Sequence, residues 1–271
     1  MTEPGKTERL LRAHLREMPL HRVLIRTIEA RILSAVDLPR PILDVGCGDG
    51  HFGSAIFPSG ADVGLDRGVA DLSEARRRSV YRLLVGADSG AMPFADASFR
   101  SAVSNCVFEH IPDIDRTISE ISRVLAPGGV FACTVIGHRF RELLTDARAW
   151  RRLGLAAAHR AYLDWFNRKA AHFHFDSPKQ WSDRFERAGF TVRSWRYYLS
   201  PEATRRMHRD HYLSVPHLLA RRVTGRWVPA PFLTDNAFFV RRYRRLAEEP
   251  PPAEGSCIAF VCSKRGNSPV K

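Results

Sequence analysis

Several absences narrow the reading before any motif is considered. No apolar run in the 271 residues approaches the roughly 18 needed to span a bilayer. The opening stretch, MTEPGKTERLLRAHLREMPL, is charged throughout and lacks the apolar core of a secretory signal. A soluble, cytoplasmic protein is the expectation. The five cysteines (Cys47, Cys106, Cys133, Cys257 and Cys262) are scattered, odd in number and form no CxxC pair. Neither a disulfide framework nor a cysteine zinc site is indicated, and most of them sit in apolar runs, where reduced cysteine packs as a small hydrophobe. Finally, no lysine follows the glycine-rich stretch at 46–50, which excludes a P-loop. No internal repeat is visible.

The formal charge of +13 is unevenly placed. Residues 41–138 carry 8 Arg against 12 acids, a net of −4. Residues 139–169 carry 8 Lys and Arg against 3 acids, and residues 193–245 carry 12 Arg against 3 acids. The glycine-rich core is therefore mildly acidic, and the basic excess belongs to later segments. Such a field recruits anionic substrates, lipid headgroups or nucleic acid, or is simply a solvated arginine-biased surface.

Apolar spacing predicts helix over 7–37, divided near Pro19. Pro39 and Pro41 then lead into ILDV, a short run suited to a buried parallel strand. A helix (HFGSAIFP), a strand (ADVGLD), a helix (DLSEARRRSV, with Asp71 or Ser73 as N-cap) and a strand (YRLLVGAD) follow. SFRSAVSNC is a fourth strand. The helix DIDRTISEISRVLA is stopped by Pro127-Gly128-Gly129, and VFACTVIG is a fifth strand. Residues 139–171 are helical and basic. SPKQWSDRFERAGF is a helix with Ser177 as N-cap and Gly189 as C-cap, followed by the strand TVRSWRYYL. Residues 201–250 form a second irregular, Arg- and Pro-rich stretch, and SCIAFVCSKR is a last strand. This alternation predicts an α/β, Rossmann-like, doubly wound sheet, with ligands at the carboxyl ends of its strands.

Gly46, Gly48 and Gly50 allow a tight turn and close approach of backbone to a ligand, although the spacing alone is shared by many nucleotide-binding loops. Acids at the next strand ends sharpen it. Asp66, about 20 residues on, is placed to accept from both hydroxyls of a ribose. Asp88 ends the third strand, where a carboxylate accepts from an adenine amino group. Asp44 and Asp49 would repel a pyrophosphate, so the ligand reads as a nucleoside bearing an amine or other cation rather than as a dinucleotide.

The stretches LDVGCGDGHFG, VGLD, GADSGAMPFADASFRSAVSNCVFEHIPD and EISRVLAPGGVFACTV resemble the successive motifs of class I S-adenosylmethionine-dependent methyltransferases. They are most similar to the small-molecule group that includes the ubiquinone/menaquinone-type enzymes. The resemblance covers about residues 40–137. It implies a seven-stranded sheet whose last strand is antiparallel, with helical substrate-cover insertions. The expected layout is an N-terminal helical cover (1–40), a cofactor-binding core (41–138), a helical insertion (139–175), and the C-terminal part of the core (176–271) with an Arg-rich insertion at about 200–250. It also implies S-adenosylmethionine as cofactor. Asp44, Gly46, Cys47, Gly48 and Gly50 would line its methionine part, with Asp44 near the ammonium. Asp66 and the adjoining Arg67 would lie at the ribose, and Asp88, Ser89 and Met92 at the adenine. Asn105 and Cys106 would border the methyl group. The family usually has Asp where this chain has Arg100, a structural position.

Methyl transfer asks mainly for alignment, since the sulfonium is already activated. A base is needed only for a weakly acidic acceptor. His110 in FEHIP and His174 in HFHF are the candidates. His172, Tyr162, Phe166 and Tyr198 are candidates for touching the substrate, set against their roles as packed residues of the added helices. His172 and His174 share a face if extended, but no third ligand stands near them in sequence, so no metal is expected. The function expected is methylation of a small molecule at O, C or N: a secondary metabolite, a quinone or a lipid-like acceptor, anionic or apolar. A non-catalytic nucleoside-binding subunit is one alternative, against which the intact row of acids stands. Two enzymatic alternatives also stay open. One is a nucleic-acid methyltransferase, against which SNCVFEH stands in place of the (D/N)PP(Y/F) signature. The other is a membrane-associated enzyme acting on a lipid or polyprenyl substrate, in peripheral contact with anionic headgroups.

Overall fold

In a computed structural model of the chain, which describes residues 5–266, seven strands form one sheet. They are β1 (Ile42–Val45), β2 (Ala61–Asp66), β3 (Tyr81–Gly86), β4 (Phe99–Asn105), β5 (Leu125–Ile136), β6 (Phe190–Tyr198) and β7 (Cys257–Lys264), in the order β3-β2-β1-β4-β5-β7-β6. The first five are parallel, with Leu43 opposite Val63 on one side and Ala102 on the other. All four residues of β1 are buried, as expected of a central strand covered on both faces. The last strand runs antiparallel. Lys264 Nζ, at the end of β7, donates to the Leu125 carbonyl at the start of β5 (2.7 Å), and Arg193 Nε, early in β6, donates to Ser263 Oγ (2.7 Å). Strand order reverses between β1 and β4, which opens a crevice beyond their carboxyl ends.

The helices follow their sequence signals closely. Pro19 separates Lys6–Glu17 from Leu20–Leu33. Helix Ile114–Val124 buries Ile114, Ile118, Ile121 and Val124 at helical spacing, and the Asp113 carboxylate caps its start. Helix Pro178–Arg187 opens with a capping box, in which Ser177 and Gln180 each accept from the other's backbone N–H.

Four expectations need correction. Residues 201–250 are mostly helical, in Pro201–Leu213, Val215–Thr224 and Ala237–Ala247. Ala188 is the C-cap of Pro178–Arg187, and Gly189, at φ 91°, is the left-handed residue just beyond it. Neither Asp71 nor Ser73 caps its helix, which runs Val69–Arg78 from Gly68. The Asp66 carboxylate takes the Gly68 N–H (2.8 Å) and brings the chain into helix directly after β2. Asp71 therefore falls in the first turn, and Ser73 Oγ donates back to the Val69 carbonyl. Pro127-Gly128-Gly129 does not separate helix from strand either. Leu125 already pairs with Phe99, and the next pair is Val130 with Ser101. Residues 126–129 form a bulge, with Gly128 at φ 76°.

The chain divides into two compact units. One comprises residues up to Ile32, Arg139–Lys169 and Tyr197–Cys257; the other comprises Leu33–His138, Ala170–Arg196 and the residues from Ile258 on. The first is helical and is organised around buried acids. Glu29 accepts from Tyr198 Oη and pairs with Arg26, both at 2.8 Å. Asp210 accepts from Tyr243 Oη (2.8 Å) and Arg242 (3.1 Å). The second unit carries most of the sheet and an aromatic core in which Phe185 contacts Phe131, Phe190, Phe260 and Trp181, with ring centroids 5.2–6.5 Å apart. Phe185 is fully buried, so Phe185→Ala is expected to cost about 3–5 kcal/mol. Chemical denaturation of the full chain measures this.

Candidate functional site

The sheet order turns the acids of the sequence into neighbours. β3, β2 and β1 lie side by side, so Asp88, just past β3, Asp66, closing β2, and Asp44, in β1, follow one another along one edge of the crevice. The end of β4, with Asn105 and Cys106, comes next.

Backbone N–H groups fix two of these carboxylates. The Asp66 oxygens accept from Gly48 N (2.9 Å) and Gly68 N (2.8 Å). Asp88 accepts from Gly90 N (2.6 Å) and is exposed. A carboxylate has about four lone-pair positions, so each held acid keeps acceptor capacity for a ligand hydroxyl or amine. Ser89 Oγ pairs with Thr117 Oγ1 (3.1 Å). Met92 is buried, its N–H held by Glu120, while Arg67 is exposed.

Asp44 differs from both. It is 4% exposed and accepts from Tyr81 Oη at 2.6 Å. Burial pushes its carboxyl up to about 7; the Tyr81 bond opposes the shift and the nearby Asp66 charge adds to it. A cation placed beside Asp44 would restore its charge. Two glycines make room for the tyrosine. A Cβ on Gly53 would lie 2.2 Å from Tyr81 Oη, and one on Gly64 would lie 2.9 Å from its Cγ.

The glycine loop is tight on one side and open on the other. Gly46 sits at φ 77°, and a Cβ there would lie 2.5 Å from Val107 Cγ2, so the segment following β4 rests against it. Gly48, at φ 53°, has nothing within 4 Å of its missing Cβ, which leaves bare backbone facing free space. Cys47 is buried beside them and Gly50 precedes helix His51–Ile56. Burial and the neighbouring acids push the Cys47 thiol far up, so it remains protonated. Cys106 adopts φ 49°, an uncommon conformation for a residue with a side chain. Its N–H donates to the Thr134 carbonyl (3.0 Å), and Thr134 Oγ1 donates to Asn105 Oδ1 (2.7 Å). These bonds turn the chain sharply where β4 ends.

Beyond that turn the single-turn helix Phe108–His110 is clasped by residues 171–174. Phe173 N donates to the Glu109 carbonyl (2.7 Å), and His110 Nδ1 lies 3.2 Å from the Ala171 carbonyl. The His110 and His172 rings are 4.9 Å apart, and burial, then His110, lowers the His172 imidazole to about 4. His174 is turned elsewhere: its Nε2 bonds the carbonyls of Ile111 (2.9 Å) and Pro112 (3.2 Å). The structure therefore brings His172 to His110 and not to His174. It also adds Glu109, which the sequence reading passed over. In the helical unit Tyr162 Oη bonds His208 Nε2 (2.9 Å) with Phe166 alongside, while Tyr198 is 2% exposed and committed to Glu29. Tyr81, Gly68 and Val107 were also missed; only Gly68, two residues past a strand-end acid, left any sequence signal.

Residues 14–194 match a family model described as a methyltransferase domain, and the chain belongs to that family. Among curated proteins, it is 33% identical over 126 residues to a malonyl-[acyl-carrier protein] O-methyltransferase of Xylella fastidiosa (42% of this chain, 43% of the relative). It is 30% identical over 176 residues to a demethylmenaquinone methyltransferase of Symbiobacterium thermophilum (55% and 67%). The chain spans less than half the length of the first curated relatives it matches. Among solved structures, the fold is shared with a Thermotoga maritima protein described as a SAM-dependent methyltransferase, possible histamine N-methyltransferase (TM-score 0.55, 16% identity, 91% of each chain). It is also shared with the [4+2]-cyclase SpnF (TM-score 0.56, 18% identity, 89% of this chain and 82% of that one).

The Asp44 carboxyl holds its proton to about pH 7 in the native protein, against an ordinary value near 4. Over that interval the native state binds more protons than the unfolded chain, so this group's contribution to stability declines as pH rises from about 4 to about 7 and is level above. In Asp44→Asn, which keeps an acceptor for Tyr81, that decline should vanish. Denaturation midpoints of the two proteins between pH 5 and 8 test it.

Proposed function

We propose that the chain is an S-adenosylmethionine-dependent methyltransferase acting on a small-molecule or lipid-like acceptor. The observation that carries this is the row of three carboxylates at three adjacent strands, the middle one bonded to the backbone of Gly48, whose missing Cβ leaves open space. In this reading Asp66 accepts from the ribose hydroxyls, using the lone pairs its two amide donors leave. Asp88, with Ser89 and Met92, takes the adenine. Asp44 faces the ammonium of the methionine part, which runs along Gly46, Cys47, Gly48 and Gly50, and Arg67 borders the ribose. Asn105 and Cys106 border the methyl group, and the turn at Cys106 carries His110 and His172 to the acceptor side. The cofactor, when bound, supplies an activated methyl group; the chain's part is to orient it and exclude water. The two relatives, named for an O-methylation and for a quinone precursor, support acceptors of this kind. The [4+2]-cyclase with the same fold shows that the architecture alone does not define the reaction.

Asp66→Ala is expected to weaken S-adenosylmethionine binding about 10- to 100-fold, the loss of one or two bonds to a charged acceptor. Calorimetry checks this, and binding equal to the unaltered protein would overturn the reading. Incubation with methyl-labelled cofactor and fractionated cell extract tests the acceptor class: label is expected in the small-molecule or lipid fraction, and label in protein or RNA would overturn it.

One surface favours an acceptor held at a membrane. No residue of helix Val215–Thr224 is buried, and Leu218, Leu219 and Val223 are 52–81% exposed beside Arg221 and Arg222. Phe232 and Leu233 are also exposed. An exposed apolar strip bordered by arginines suits shallow insertion among anionic headgroups. No helix among the described residues is long and apolar enough to cross a membrane, so in this reading the protein works in the cytoplasm and meets the membrane at its surface. Co-sedimentation with vesicles containing anionic lipid is expected, weakened by salt and abolished by the double substitution Leu219→Asp, Val223→Asp. Equal sedimentation of the variant would exclude this surface.

A further inference from the structure

We infer that Glu109, His110 and His172 form a binding site for one divalent transition-metal cation. Each offers one ligand atom, and the three atoms all lie within 4.8 Å of one another. Metal–ligand bonds of about 2.0–2.2 Å put ligand atoms about 3–3.5 Å apart, so small side-chain rotations close the set around an ion.

The backbone already holds the residues in that arrangement. Glu109 and His110 are consecutive on the short helix after β4. His172 lies on the opposing segment, bracketed by two bonds: Ala171 O with His110 Nδ1 and Phe173 N to Glu109 O. The first of these also orients an imidazole in the way metal-binding histidines usually require. With Nδ1 engaged by a carbonyl, Nε2 is the nitrogen directed to the ion. Glu109 is only 2% exposed, whereas His110 is exposed. The site therefore has a buried carboxyl floor and an accessible side where coordination positions stay open.

The donor set selects the ion class. Two imidazoles and one carboxylate suit Zn²⁺, Fe²⁺, Co²⁺ or Mn²⁺, whereas Ca²⁺ and Mg²⁺ take mainly oxygen ligands. Val107 links the site to the glycine loop through its contact with Gly46. That the ion would stand beside the methyl donor rests on the function proposed above; the cation site itself does not. An acceptor oxygen in an open position would be both held and made more acidic, its proton passing to solvent.

The full chain, freed of metal by chelation, should bind one equivalent of Co²⁺ or Zn²⁺ by calorimetry, and Co²⁺ should give visible d–d bands of low coordination number. His172→Ala and Glu109→Gln are expected to weaken binding at least tenfold. His110→Ala, on the exposed side, gives the same test if the buried Glu109 variant does not fold. His174→Ala should bind as the unaltered protein does, because its ring is committed to the Ile111 and Pro112 carbonyls. No stoichiometric binding of either ion, or binding unchanged in both His172→Ala and His110→Ala, would overturn the site. Separate titration with S-adenosylmethionine keeps the two readings apart: cofactor failing to bind while Co²⁺ binds would refute the function and leave the metal site standing.

Discussion

The carboxylate of Asp44, enclosed in the middle of the sheet with Tyr81 as its donor, is the constraint on which the rest of the site depends. Burying an acid among parallel strands is costly unless it is hydrogen-bonded, and the charged form costs more than the neutral one. The protein tolerates it through a bond from the neighbour but one in the sheet, across β2. That bond in turn requires a tyrosine ring to pass where side chains would normally stand, and Gly53 and Gly64 leave the space. An acid in this position gains most from a ligand that brings a positive charge. The elevated pKa is thus a stored preference for a cation, held in the central strand where no loop movement can relax it.

The other two acids in the row are treated in the opposite way. Asp66 and Asp88 accept backbone N–H groups and are partly or fully exposed. They are suited to uncharged hydroxyls and amines, which need a fixed acceptor more than a countercharge. The contrast along three adjacent strands, from a buried, hard-to-ionise acid to an exposed, amide-held one, matches a ligand charged at one end and merely polar at the other.

Much of this was legible in the sequence because it is local. Short apolar runs ending in Asp44, Asp66 and Asp88, glycines at 46, 48 and 50, and the Ser177–Gln180 capping box all announce themselves within a few residues. What was not legible depends on distant pairings. Nothing near Tyr81 marks it as the donor to an acid 37 positions earlier. Gly68 displaced Asp71 and Ser73 as the start of their helix because a strand-end carboxylate claimed its N–H, a tertiary contact overriding local capping preference. The pairing of His172 with His174 assumed extended alternation, but residues 172–177 have no regular secondary structure. Released from that alternation, the two rings face different partners.

The same comparison separates what the fold holds constant from what it leaves free. The carboxylate row rests on sheet register, where a one-residue slip would invert every side chain, so it changes only if the sheet does. The segment after β4 is built differently, from a left-handed turn at Cys106, a single helical turn and a clasp of one backbone–backbone and one side-chain–backbone contact with an irregular segment. The helical turn and the clasp lie outside the parallel strands, so substitutions there leave the carboxylate row in place.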